Sequence, residues 1–151
     1  MIPQAQLDAL SDVDVLALTL WAESRSESLE GRVAVACVVR NRMRLRKLTA
    51  KQVCLAPMQF ACWQEIGGKA NHAALAALVA GVTGRPKRVS DPILIECYWI
   101  AEGVLDGELR DIAKGADHYI TTALLASDHK PGWVRAMTWV ATVGSHAFYR
   151  S

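Results

Sequence analysis

The run Val33-Ala34-Val35-Ala36-Cys37-Val38-Val39 constrains the fold of this chain more than any other stretch. It follows Ser28, a good helix N-cap, and leads into Arg40, Arg42, Arg44, Arg46 and Lys47, which suit the negative end of a helix dipole. A helix over this span is apolar nearly all round. It has no face to offer water, so it must be central, with other elements wrapped around it. At 151 residues, the chain is long enough for about one domain that holds such a core without a metal or disulfide staple.

The flanking sequence supplies the wrapping elements. Pro3 and Gln4–Leu10 suggest a short first helix. Ser11 then caps a second, with Asp12 and Asp14 in the first turn, where the dipole favours negative charge. Val13, Leu16, Ala17 and Leu20 recur at spacings of three and four and predict an amphipathic helix to about Ser24. Thr49 is placed to cap a short helix reaching Leu55, and Pro57 forces a loop over Met58–Glu65. Asn71 is expected to cap an Ala-rich helix, His72–Val82. After the loop Gly84–Ser90, Asp91-Pro92 opens a helix to about Asp106, which Gly107 ends. Beyond Gly115 the pattern turns β-branched and aromatic, in Tyr119–Thr122 and Thr138–Val143. Gly144-Ser145 is then a turn into Ala147-Phe148-Tyr149. The expected fold class is α+β, mainly α-helical, with a small sheet or hairpin late in the chain.

Composition narrows the function classes. With 52% hydrophobic and 21% charged residues, disorder and low complexity are excluded. The longest apolar stretch, Ala73–Val82, falls short of the ~18 residues of a membrane span, so no stable membrane insertion is expected. The first base, Arg25, follows Asp8, Asp12 and Asp14, unlike the positive start of a secretory signal, so synthesis in the cytoplasm is the expectation. Cys37, Cys54, Cys62 and Cys97 form no CxxC pair and no zinc spacing. They are read as small buried hydrophobes, with a Cys54–Cys62 bridge left open, and neither metal nor cofactor is expected. Charge is segregated: residues 1–31 hold six acids and one base, residues 32–90 eleven bases and one acid. That asymmetry suggests contact with something anionic, either nucleic acid or an anionic polymer or envelope surface.

Glu23 is the residue most suggestive of chemistry. The apolar face Val13, Leu16, Leu20 continues into it at the same spacing. It also sits in the last turn of its helix, close to Trp21. Burial and the negative end of the dipole both favour the neutral acid over the carboxylate. A protonated carboxyl in a cleft can protonate a leaving oxygen. The simpler alternative is that Glu23 pairs with Arg25 or with a base of the next helix. Gln59, Phe60, Trp63, His118, Tyr119 and Trp133 lie near loops or strand starts. Aromatic platforms beside amide, imidazole and phenol groups suit a carbohydrate groove, although each of these residues alone is more often core.

Together these residues resemble a known family. Leu18-Thr19-Leu20-Trp21-Ala22-Glu23-Ser24-Arg25, Leu29-Glu30-Gly31, Val33-Ala34-Val35-Ala36 and Arg40-Asn41-Arg42 resemble the start of the SleB-type cell wall hydrolase domain. Val53-Cys54 and Pro57-Met58-Gln59-Phe60-Ala61-Cys62-Trp63 are similar to its second block. Gly115-Ala116-Asp117-His118-Tyr119, Trp133 and Val143–Arg150 are similar to its third and fourth. The family often has Gly where this chain has Ser26 and Ser where it has Ala61.

The resemblance implies a single lysozyme-like domain that degrades peptidoglycan, as in spore-cortex lytic enzymes and phage endolysins. It places the catalytic glutamate on Glu23 and groove residues on Gln59 and Tyr119, with Phe60, Trp63 and His118 as neighbours. It further implies a monomer that binds glycan strands and acts on the wall in the periplasm after release, as a compact endolysin of a Gram-negative host would. Lytic transglycosylation needs one acid and is preferred to hydrolysis with two carboxylates, for which Glu27 and Glu30 are the candidates. Glu30 otherwise serves the dipole of the next helix. The reading from another class is a basic nucleic-acid-binding module. Arg40, Arg42, Arg44 and Arg46 alternate, however, so on a helix they spread around the axis, and no nucleic-acid motif accompanies them. No nucleic-acid partner is therefore expected.

Overall fold

The computed structural model describes residues 1–65 and 68–151. Its elements run α1 (Gln4–Ala9), α2 (Asp12–Ser24), α3 (Leu29–Arg46), α4 (Ala50–Leu55), a 3-10 turn (Ala61–Trp63), α5 (Lys69–Thr83), α6 (Pro92–Leu105), β1 (His118–Thr121), α7 (Thr122–Leu125), α8 (Trp133–Ala136), β2 (Thr138–Val143) and β3 (His146–Arg150). The class is the one expected from sequence, mainly helical with a small late sheet.

Two helices share the centre. In α3 every residue from Val33 to Val39 is buried, as the apolar run requires. In α2 burial extends without a break from Asp14 to Trp21, and this helix packs against α3, α4, α5 and α6. The capping box at its start, where Ser11 and Asp14 exchange side-chain and backbone hydrogen bonds, fixes the register of that face. Asp14 is buried as well, held by the Tyr98 hydroxyl at 2.6 Å and by Lys87 Nζ at 2.8 Å.

Three expectations need correction. Asn71 does not cap α5; the helix starts at Lys69 with Gly68 as N-cap, and Asn71 lies within its first turn. Gly68 has φ 106°, a conformation in which the chain reverses into the helix without a side-chain cap. The short helices α7 and α8 were not foreseen, because four-residue turns carry no periodic signal. The expected strand end at Thr122 is instead the start of α7, capped by the Thr121 hydroxyl.

The sheet is antiparallel with the order β1-β3-β2, so the last strand of the chain lies in its middle. Register sets Tyr119 opposite Phe148 and His118 opposite Tyr149, and side chains in register share a face. One face therefore carries Tyr119, Phe148 and His146 towards the helices, while the other carries His118, Ile120 and Tyr149 towards α7 and α8. All four cysteines are free and buried, and no Cys54–Cys62 bridge forms. Among the described residues no helix is long and apolar enough to cross a membrane.

Candidate active site

Glu23 stands half-buried in the last turn of α2, continuing the fully buried positions Leu16 and Leu20. Its neighbours come from the loop that Pro57 forces. The backbone N–H of Cys62 donates to Glu23 Oε1 at 3.3 Å. Burial, and then the Glu23 charge, push the Cys62 thiol far above its ordinary range, so it stays protonated.

The Cys62 segment is itself fixed on both sides. Trp63 Nε1 donates to Thr19 Oγ1 on α2 at 2.9 Å, and buried His72 on α5 holds the Cys62 carbonyl through Nδ1 at 3.1 Å. The pairing with Arg25 that would make Glu23 merely structural does not occur. Arg25 folds back over the Trp21 ring, 4.3 Å from its centroid, and donates to the Trp21 and Ala22 carbonyls. Among the described residues Glu23 forms no ion pair.

Tyr119 stands on β1, on the sheet face that carries Phe148. The strand is set against α3 by buried Asn41, which donates to Asp111 Oδ2 at 3.0 Å and to the Ala116 carbonyl at 2.9 Å. Arg42 adds a bond from Nε to the Asp117 carbonyl at 2.7 Å. The Tyr119 ring packs on Phe148 and edge-on against His146, with centroids 5.9 and 5.0 Å away. Burial and the nearby Glu23 charge push the phenol well above its ordinary value, with Arg42 opposing them. Tyr119 is thus a neutral hydroxyl at physiological pH, able to donate or accept.

The other residues singled out from sequence divide. Gln59 is half-buried and accepts from Arg46 at 3.0 Å. Phe60 is 3% exposed and belongs to the core, with Arg42 over its ring at 5.5 Å, so it offers no sugar platform. Trp63 packs against the core with its indole nitrogen turned to Thr19. His118 is excluded from the Tyr119 face by the alternation of a strand. It stacks on Trp133 at 5.2 Å and pairs with Asp117 on the opposite side of the sheet. Glu30 is exposed in the first turn of α3 and touches none of these groups.

Glu27 is engaged elsewhere. The Ser145 hydroxyl and backbone N–H donate to its carboxyl at 2.6 and 3.1 Å, and His146 Nδ1 lies 2.9 Å away. Burial opposes ionisation, but these partners outweigh it and hold the carboxyl below its ordinary range. Gly144 makes this closure possible: its φ is 57°, and a Cβ there would meet Glu27 Oε1 at 3.1 Å.

The arginines of α3 are mostly engaged with groups of the protein itself, although Arg44 and Arg46 are exposed. Arg40 donates to the Val104 and Leu109 carbonyls, Arg44 to Asn41 and Arg46 to Gln59. Among the described residues no group of three His, Cys, Asp or Glu side chains converges as a metal site.

The Cell Wall Hydrolase family matches residues 26–149. The chain belongs to that family. It is a cell wall hydrolase, an enzyme whose substrate is peptidoglycan. The match begins just past Glu23, so the case for that residue rests on the geometry above. Two solved structures share the fold. The catalytic domain of the germination-specific lytic transglycosylase SleB from Bacillus anthracis superposes with a TM-score of 0.64 at 20% identity, covering 92% of this chain and 93% of that one. The catalytic domain of the Bacillus cereus SleB protein gives 0.60 at 19% identity, covering 99% and 93%. The comparison with curated proteins returns no match.

Proposed function

We propose that this cell wall hydrolase is a lytic transglycosylase that cleaves the β-1,4 bond between N-acetylmuramic acid and N-acetylglucosamine, with Glu23 as its one catalytic carboxyl. The observation that carries the reading is the contrast within one short segment: Glu23 is half-buried with no ionic partner among the described residues, while Glu27 is closed off by Ser145 and His146. Glycoside hydrolysis of the usual kind needs a second carboxyl about 5–9.5 Å from the first and free to act. Glu27 is not free, and Glu30 is exposed on the next helix.

In the proposed reaction Glu23 gives its proton to the glycosidic oxygen. The bond from that oxygen to C1 of N-acetylmuramic acid breaks, and N-acetylglucosamine leaves with a 4-hydroxyl. The Glu23 carboxylate then takes the proton of the muramic C6 hydroxyl, whose oxygen closes on C1 to give the 1,6-anhydro ring. Glu23 ends as it began and no water is consumed. In this reading the Cys62 N–H steadies the carboxylate between the two transfers, and Tyr119, a neutral hydroxyl, orients the C6 hydroxyl. Gln59, at the rim with Arg46, is available to an N-acetyl group. The similarity to a solved lytic transglycosylase domain supports the same reading.

We further read the chain as an endolysin-type enzyme that acts on the wall after release from the cytoplasm. The test is turbidity loss of outer-membrane-permeabilised Gram-negative cells with wild type and Glu23→Gln, followed by mass spectrometry of the fragments. Anhydro-muramoyl ends that vanish in the variant are expected. Reducing ends alone, from active wild type, overturn the transglycosylase assignment.

A further inference from the structure

Arg42 is unlike the other arginines of α3. Arg32 pairs with Glu96, while Arg40, Arg44 and Arg46 find carbonyl or amide oxygens. Arg42 is only 8% exposed, yet among the described residues it has no ion pair. Asp117 gives it a backbone carbonyl at Nε, while the carboxyl of that residue turns to Ser151 and His118. The Phe60 ring covers the guanidinium and offsets part of the cost of burying it. The two Nη groups have no acceptor among the described residues. They are also not sealed, in contrast to the unpaired Nε atoms of Arg32 and Arg40. A cation taken out of water without an anion is costly, and the remedy is a partner that arrives from outside. The guanidinium lies between the Phe60 ring and the Asp117 carbonyl, each two residues ahead of a residue of the site, Cys62 and Tyr119, and this sets the fork beside that site.

We infer that Arg42 is the anion-recognition residue of this site, its two Nη groups receiving a carboxylate carried on the lactyl arm of the substrate's muramoyl sugar. The inference rests on the reading above that the glycan strand lies against Glu23 and Tyr119. A planar guanidinium fork matches a carboxylate with two parallel hydrogen bonds, which a sugar hydroxyl does not supply. The two alternating sugars of peptidoglycan differ in this respect: the muramoyl unit bears a lactyl arm that ends in a carboxylate or in a peptide with carboxylates of its own, and N-acetylglucosamine bears none. Arg42 therefore sets the register of the strand. It brings the muramoyl C1, and not that of N-acetylglucosamine, to the acid.

The experiment is an NMR titration of wild type, Arg42→Lys, Arg42→Gln and Glu23→Gln with three probes. N-acetylmuramic acid carries its own carboxylate, N-acetylmuramoyl dipeptide carries a peptide carboxylate in its place, and N-acetylglucosamine is the neutral control. Wild type is expected to bind at least one muramoyl probe about tenfold more tightly than the control, a difference of ~1.4 kcal/mol. The favoured probe tells whether the lactyl or the peptide carboxylate is read. Arg42→Gln should erase the preference. Arg42→Lys keeps the charge and stem but not the fork, and should weaken the preference several-fold; it decides the matter if Arg42→Gln does not fold. Equal binding of all probes by wild type, or a preference that survives in the folded Arg42 variants, overturns the inference. Glu23→Gln should bind like wild type, so a failure of the acid assignment, seen as lysis retained by that variant, is distinguishable from a failure of this one.

Discussion

The end of α2 presents Glu23 half-buried, its carboxyl accepting from the backbone N–H of one loop residue, Cys62. The connection to α3 presents Glu27, whose two oxygens are taken up by Ser145 and His146 from the β2–β3 turn. The same functional group is thus left with one backbone donor in one place, where the proposed reaction uses it as the acid, and is used as a clasp between helix and sheet in the other. What separates them is the number and kind of donors that tertiary structure brings to each. A carboxylate given several donors is stabilised as the anion and loses its use as an acid. The clasp also serves the site at one remove, since the His146 it holds packs against Tyr119.

The comparison breaks most visibly at Glu23. Glu23→Gln should lower the rate of wall lysis about 10²–10⁴-fold, the range for removal of a general acid, with Tm nearly unchanged. A Tm loss as large as that of a Glu27 variant would show that Glu23 is structural too. Tyr119→Phe should cost roughly tenfold in kcat at similar KM, because it removes one neutral hydroxyl and keeps the ring that packs on Phe148.

Glu27→Gln should do the reverse of Glu23→Gln. It leaves Ser145 and His146 short of an anionic acceptor, at about 1–3 kcal/mol, which calorimetry should read as several degrees of Tm. Activity per folded molecule should change by no more than a few-fold. The loss should depend on pH. The folded-state carboxyl of Glu27 titrates below its ordinary range. Its contribution is therefore complete above the unfolded value of about 4.3 and disappears as pH falls through the lower folded value. The Tm gap between wild type and Glu27→Gln should be widest at neutral pH and close in acid; a gap independent of pH would mean that the clasp works by packing alone. Gly144→Ala sharpens the same point at smaller scale. A Cβ 3.1 Å from Glu27 Oε1, on a residue with φ 57°, should cost about 1–2 kcal/mol in urea denaturation and spare the chemistry.

Much of the site was legible before the fold was known, and its gaps are instructive. The position of Glu23 was legible because helical periodicity is local: a residue three past Leu20 lies on the face of Leu20 whatever else the chain does. Tyr119 and His118, both candidate groove residues by sequence, fall on opposite faces because neighbours on a strand alternate, and the sequence does not say which face meets the helices. Phe60 and Trp63 sit in a stretch with no period at all, where only the surrounding helices decide that one is core and the other turns inward. Arg42 was lost among alternating bases. Nothing in the pattern Arg40, Arg42, Arg44, Arg46 marks the one that the loop before β1 buries.

Sequence alone determined the helical half of this enzyme, from the caps Ser11, Ser28, Thr49 and Asp91 to the buried run of α3. Caps and periodicity act over a few residues, and their energies do not depend on where the rest of the chain goes. Tertiary structure decided which carboxyl is clasped, which face of β1 meets the helices and which buried arginine, among the described residues, is left without an anion. Each of those outcomes depends on donors and acceptors brought together from distant segments, as when Ser145 closes on Glu27 and Asp117 receives Arg42. No local pattern encodes an encounter between groups so far apart along the chain.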